Sequence, residues 1–198
     1  MTATILLIRH AAHGHLGDVL TGRMEGVSLT SAGEEQARRL GERLRGEPLA
    51  AVHSSPALRT QQTAEAVAHR LGLEVEEAPD LLEVNFGEWT GRSFTELGSD
   101  PEWHCWNSRR ATASAPGGEA MAAVQERAWR HVAATAWRFG GAAVALVSHC
   151  DVIRAVIARV LGLSLNHILR FDIAPASVSR LAVGEWGEKV ISINEQPA

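Results

Sequence analysis

No apolar run in this chain approaches the roughly 18 residues that a membrane-spanning helix needs. That excludes a bilayer-spanning reading. Cysteine is scarce: Cys105 and Cys150 stand far apart, with no metal-ligand spacing and no set of partners for a disulfide framework. A reduced, cytoplasmic setting is the simplest expectation. Positive charge is not in excess either, since 19 Lys and Arg face 23 Asp and Glu for a net charge of −4. Nothing here has the electrostatic footprint of a nucleic-acid or anionic-membrane binder. An anionic ligand would have to be held by individual arginines. The chain enters its first apolar strand almost at once, so no signal peptide is expected. Repeats and low-complexity segments are missing as well. A length of 198 residues suits one domain over 1–198, below the roughly 250–300 residues at which cores split.

What is present begins at the first strand. Thr4-Ile5-Leu6-Leu7-Ile8 runs straight into Arg9-His10. So short and continuous an apolar run reads as a strand buried on both faces, as in parallel sheets. Its two polar residues then sit at the carboxyl edge, where open α/β sheets bind ligands. A second run, Ala142 to Ser148, ends in His149 and leads into a helix for which Asp151 is the expected N-cap. One such histidine reads equally well as a strand-end residue bonded to a loop carbonyl. Two strands that deliver imidazoles to one edge point to a site.

Between them the elements alternate. A long loop, Ala11 to Leu29, carries His13, His15 and Thr21 and four glycines; loops of that length are usually functional or mobile. Ser31-Ala32-Gly33-Glu34 reads as a capping box, opening a helix that buries Ala37, Leu40 and Leu44. Ala50 to Ser54 reads as the next strand, and Ser55-Pro56 as the N-cap and first residue of another helix. Arg59 lies in that helix's first turn. A cation is misplaced beside a helix N-terminus unless it joins the free N–H groups in an anion site. A short strand is expected over Leu73 to Val75.

The least regular third, Pro79 to Gly118, sets Glu83 among apolar neighbours. A buried carboxylate has a raised pKa and can donate a proton. Trp89, Trp103 and Trp106 read as packing for a flap. Arg109-Arg110 reads as surface charge, with contact to the distal part of a substrate as the alternative. A helix is expected from Gly118-Glu119 to about Phe139, then the histidine strand, a helix over Val152 to Leu161, and a hairpin of Ser177–Val183 with Lys189–Ile193. Alternating strands and helices predict an α/β fold, a three-layer α/β/α sandwich with a mainly parallel sheet.

Taken in order, Arg9-His10, Ser55-Pro56-Ala57-Leu58-Arg59-Thr60, Leu82-Glu83-Val84-Asn85-Phe86-Gly87-Glu88-Trp89, Pro116-Gly117-Gly118-Glu119 and Ser148-His149 resemble the motifs of the histidine phosphatase superfamily, the phosphoglycerate mutase-like family. The resemblance implies that His10 is a nucleophile that becomes phosphohistidine. It implies that Arg9, Arg59 and His149 hold the phosphoryl group with His10, and that Glu83 is the proton donor. The residue types suit the chemistry, because a loose phosphoryl-transfer transition state is stabilised mainly by clamping its equatorial oxygens. No metal and no cofactor are implied, and the expected partner is a small phosphorylated metabolite.

The chain departs from the family where Ala11, His13 and Leu16 replace its usual glycine, threonine and asparagine. Two phosphate contacts are lost with them, and His13, His15 or Thr21 are the candidates to replace them. Cys150 takes a common glycine position and reads as a small packing residue. The leading expectation is a metal-independent phosphomonoesterase. The alternatives are a phosphoglycerate mutase-type transfer and a non-enzymatic phosphate or phosphoprotein binder.

Overall fold

The structure is a computed structural model that describes residues 1–196. Its elements follow the order β1 (Ala3–Arg9), α1 (Ser31–Arg43), β2 (Leu49–Ser54), α2 (Leu58–Leu71), β3 (Val75–Glu77), α3 (Phe94–Leu97), α4 (Pro101–Ser108), α5 (Met121–Arg138), β4 (Ala143–Ser148), α6 (Cys150–Val160), β5 (Val178–Gly184) and β6 (Gly187–Glu195). One six-stranded sheet has the order β3-β2-β4-β1-β5-β6. β3, β2, β4 and β1 are parallel, and the C-terminal hairpin β5–β6 adds two antiparallel strands at one edge.

The period of two along β1 builds the layers. Leu6 and Ile8 pack on one face with Leu40 and Leu44 of the α1 segment and Ala64 and Val67 of α2. Ile5 and Leu7 pack on the other with Val124, Ala128 and Val132 of α5 and Val152 and Val156 of α6. The three-layer α/β/α expectation holds, and β1 is central because its apolar residues are needed on both sides. The register sets Ile8 beside Val147 and Arg9 beside Ser148. The His10 N–H donates to the Ser148 carbonyl at 3.0 Å. The two strand-end histidines therefore share one edge of the sheet. Among the described residues no helix is long and apolar enough to cross a membrane.

Several helix starts differ from the sequence reading. The N-cap of α1 is Thr30, whose Oγ1 accepts from the Gly33 N–H at 3.1 Å; the same hydroxyl reaches the Ala12 carbonyl at 3.4 Å, a tertiary contact that Ser31 does not make. α2 starts at Leu58 with Ala57 as N-cap and no side-chain cap; the Ser55 hydroxyl faces His149 and reaches only the Ala57 N–H, at 3.4 Å. Asp151 does not cap α6; His149 is the N-cap residue, and Asp151 is taken by arginines. α5 begins at Met121, since Glu119 is engaged by Arg23 and Arg127. β3 lies two residues beyond its expected place, in register with Val52 to Ser54.

Two glycine contacts hold the loops that carry the site. A Cβ on Gly33 would lie 1.9 Å from the Ala12 carbonyl oxygen, so the first turn of α1 rests directly on the backbone after His10. A Cβ on Gly87 would lie 2.0 Å from the Pro116 carbonyl, and one on Gly118 2.2 Å from the Asn85 carbonyl. The Glu83 loop and the Pro116–Glu119 turn thus pack backbone to backbone. Gly33→Ala should force α1 away from Ala12. At the roughly 1–3 kcal/mol typical of overpacking, the melting temperature should fall by about 2–12 °C. Calorimetry checks this; an unchanged midpoint would show that α1 does not need the contact.

Candidate active site

β1 delivers Arg9 and His10, α2 delivers Arg59, the end of β4 delivers His149, and the loop before α3 delivers Glu83. These five converge at the carboxyl edge of the sheet. His10 is buried and its Nδ1 lies 2.8 Å from the Ala11 carbonyl oxygen. A carbonyl only accepts, so Nδ1 carries the proton and Nε2 keeps its lone pair. Burial, then Arg59 and Arg9, push the His10 pKa well below its ordinary value. The ring is neutral at pH 7 and nucleophilic at Nε2. Its peptide is pinned by Ala176, a buried non-glycine residue at φ +57°, whose N–H reaches the Arg9 carbonyl at 3.1 Å and the His10 carbonyl at 3.3 Å. The Ala11 N–H is tied to Thr63 Oγ1 at 3.0 Å, and Thr63 in turn donates to the Arg59 carbonyl at 2.8 Å.

The two guanidinium groups are held by carbonyls and a ring nitrogen. Arg9 Nη1 donates to the Ile173 carbonyl at 2.6 Å. Arg59, 1% exposed, donates from Nη2 to the Gly22 carbonyl at 2.7 Å and to His149 Nδ1 at 3.2 Å. Arg9 Nε, Arg59 Nε and Arg59 Nη1 are buried donors without a partner among the described residues. Buried donors are normally satisfied, so this arrangement suits an anion. His149 lies beside His10, ring centroids 5.4 Å apart, and burial lowers its pKa, helped by Arg59. Its second nitrogen, Nε2, faces Ser55 Oγ at 2.9 Å.

Glu83 has its carboxyl pKa pushed up to about 7, first by burial and then by the negative charge of Asp151; Arg59 and Arg9 oppose the rise. Its backbone carbonyl is gripped by Arg23 Nε at 2.9 Å and Arg127 Nη2 at 3.2 Å. Both arginines also bind Glu119, whose Oε2 accepts the Asn85 N–H at 2.9 Å. The Gly-Gly-Glu motif is therefore a brace for the carboxylate loop.

The loop after β1 lines a cavity of about 240 Å³ over these groups, with His13, His15, Leu16 and Thr21 in its wall. His13 is buried, its ring centroid 5.2 Å from that of His10, and burial with Arg59 lowers its pKa to about 4. Its Nδ1 accepts the His15 N–H at 3.2 Å, which leaves the proton on Nε2. His15 is exposed and stands at the rim. Phe86, Phe94 and Trp103 supply an aromatic wall. Trp89 and Trp106 are buried and pack with Phe86 and Trp103, as a flap core should. Cys150 touches the cavity, but burial pushes its thiol up to about 11, so it is no nucleophile.

Arg110 corrects the surface reading of the arginine pair. Arg109 is exposed, whereas Arg110 is 4% exposed and lines the cavity. Its guanidinium lies 4.0 Å from the Trp106 ring centroid and donates to Asp151 Oδ2 at 2.8 Å and Asn107 Oδ1 at 2.7 Å. Asp151, Ser55, Arg23 and Arg127 are the functional neighbours that sequence reasoning missed. The contacts that bring them to the site, with Arg110, His149 and the Glu83 carbonyl, cross long stretches of chain, and no local pattern marks them.

The histidine phosphatase superfamily (branch 1) pattern matches residues 5–196. Phosphoserine phosphatase 1 of Hydrogenobacter thermophilus is 29% identical over 195 residues, 96% of this chain and 91% of that one. An acid phosphatase of Mycobacterium tuberculosis is 34% identical over 183 residues, 88% of this chain and 83% of the relative. Among solved structures, Bacillus stearothermophilus YhfR superposes with a TM-score of 0.90 at 27% identity, covering 98% of this chain and 97% of that one.

The electrostatics of Glu83 can be read directly. With a pKa of about 7, its side-chain carbon resonance should titrate near neutrality. Asp151→Asn removes the negative charge that disfavours ionisation, so the midpoint should move down toward the ordinary carboxylate range. Carbon-13 NMR of labelled glutamate measures both; an unmoved midpoint in Asp151→Asn would dissociate the two carboxylates.

Proposed function

The chain belongs to the histidine phosphatase superfamily, and from that premise we propose that it is a phosphatase that hydrolyses phosphomonoesters through a phosphohistidine on His10. The observation that carries this reading is the set of three unpartnered buried guanidinium donors around a neutral imidazole with a bare Nε2. Those groups fit a phosphoryl anion held for attack. The names of the relatives, a phosphoserine phosphatase and an acid phosphatase, agree with hydrolysis of a phosphate ester.

In the first step the Nε2 lone pair of His10 attacks phosphorus and the ester P–O bond breaks. Arg9 and Arg59 take the charge on the equatorial oxygens, where preorganised donors are worth most. Glu83, still protonated near pH 7, gives its proton to the leaving oxygen. In the second step the Glu83 carboxylate takes a proton from water, and the oxygen attacks phosphorus. The P–N bond breaks and the pair returns to His10, so phosphate leaves and Glu83 is protonated again. His149, which the resemblance implies holds the phosphoryl group with Arg9, His10 and Arg59, also supports Arg59 through its Nδ1. His13 and Thr21, both in the cavity wall, are the candidates to replace the phosphate contacts of the family's missing threonine and asparagine.

The cavity of about 240 Å³ falls just under the roughly 300–1,000 Å³ of drug-sized pockets. That supports a small phosphorylated metabolite as substrate. Two fixed guanidinium charges do the work of a divalent cation here, so hydrolysis should survive exhaustive chelation by EDTA. Loss of activity restored by zinc or manganese would overturn a metal-independent mechanism.

The roles of nucleophile and acid separate by leaving group. A positioned general acid contributes about 10²–10⁴-fold, and an alkyl phosphate needs it far more than an activated aryl phosphate. Glu83→Gln should therefore lose most of its activity on the alkyl ester and little on the aryl one. With water activation also impaired, it should accumulate acid-labile phosphoenzyme on the aryl ester. His10→Ala should form none. Kinetics on both esters with quenched labelling tests this: equal losses for Glu83→Gln would remove Glu83 as the acid, and labelled His10→Ala would remove His10 as nucleophile.

A further inference from the structure

Ser55 is fully buried just past the end of β2; its Oγ accepts the Ala57 N–H at 3.4 Å but caps no N–H within α2. Its backbone is anchored on three sides. The Ser55 N–H donates to the Val147 carbonyl at 3.0 Å, and its carbonyl accepts from Thr60 Oγ1 at 2.8 Å and Gln61 Nε2 at 2.9 Å. The hydroxyl sits 2.9 Å from His149 Nε2, with the Ala57 N–H as its other neighbour at 3.4 Å.

The protons of the His149 ring follow from what its partners can do. A guanidinium only donates, so His149 Nδ1, 3.2 Å from Arg59 Nη2, must accept. A neutral imidazole then carries its proton on Nε2, and that N–H needs an acceptor in a fully buried place. Ser55 Oγ is the acceptor. Nδ1 also lies 4.0 Å from Glu83 Oε2, which shows that this nitrogen, and not Nε2, is on the side of the reacting groups.

We propose that Ser55 is a positioning residue that anchors the His149 ring by accepting its Nε2–H and, through that ring, sets the aim of Arg59. Without the hydroxyl, the Nε2–H is a buried donor with no partner. The proton cannot escape to Nδ1, where an N–H would confront the Arg59 N–H, so the ring tilts in search of another acceptor. Arg59 loses its lateral support, and its free Nε and Nη1 donors are no longer held on the anion position. The inference rests on the phosphatase reading only for its consequence in turnover, since tautomer and anion binding can be measured without any reaction.

The test uses the full chain with nitrogen-15 histidine and orthovanadate as the anion. Long-range proton–nitrogen spectra of the native protein should show the His149 proton on Nε2. Ser55→Ala should keep the proton on Nε2 but shift the Nε2 and attached-proton resonances that report its hydrogen bond, and calorimetry should show vanadate bound about 2- to 10-fold more weakly, the worth of one hydrogen bond. Ser55→Thr, which restores the hydroxyl, should recover the native spectrum and affinity. Circular dichroism of both variants establishes that they are folded. A proton on Nδ1 in the native protein would overturn the proposal. So would a Ser55→Ala protein with the native spectrum, or one with the native vanadate affinity. If the resonances and affinity shift as stated but the native protein hydrolyses no ester, the phosphatase reading fails and the positioning role stands.

Discussion

Two guanidinium charges at the end of a parallel sheet, Arg59 buried and Arg9 half-buried, are the constraint on which the rest of this structure depends. Removing a cation from water costs several kcal/mol even after relaxation, and Arg59 is 1% exposed. Its partners among the described residues are a carbonyl and a neutral ring, with no carboxylate in hydrogen-bonding contact. Burial accordingly pulls the Arg59 pKa below its ordinary value, opposed by the nearby Glu83. The fold tolerates this because the flanking elements are over-determined. β1 and β4 are buried on both faces, and α2 is locked onto the sheet by Ala64 and Val67.

The same positive field organises the histidines. His10, His13 and His149 all have lowered pKa values, first from burial and then from Arg59 as the next cause. Three imidazoles close together stay neutral where three imidazoliums would repel one another. Each is then a directional group with one donor and one acceptor, and the fold specifies which nitrogen is which. Ala11, Arg59 with Ser55, and the His15 N–H make those choices.

Glu83 shows the opposite case. A carboxylate so close to Arg9 and Arg59 would be ionised if their charges were the only influence. Desolvation and the ionised Asp151, itself held by Arg110 and Arg154, outweigh them. The braces on its loop therefore help set that electrostatic environment. Arg23, Arg127 and Glu119 hold the Glu83 backbone, and the glycine contacts at Gly87 and Gly118 leave that loop no room to relax.

Much of the site was legible along the chain. Apolar runs ending in Arg9-His10 and in His149 announce their own position, because a strand buried on both faces has only its ends for polar residues. Arg59 in the first turn of a helix, and Glu83 in an apolar loop, are each in electrostatic conflict with their surroundings, and such conflict is local. The three layers followed from the alternation of strand and helix. The start of α2, the N-cap of α1, the burial of Arg110 and the engagement of Asp151 were decided only by the tertiary structure. In each case a local rule of capping or surface charge lost to a partner distant in sequence: His149 for Ser55, Ala12 for Thr30, and Trp106 with Asp151 for Arg110. Sequence by itself determined which chemical groups stand at the ends of the strands. Which nitrogen bears a proton, and which carboxyl stays protonated, required the packed molecule, because those states depend on burial and on neighbours that the chain brings together only when folded.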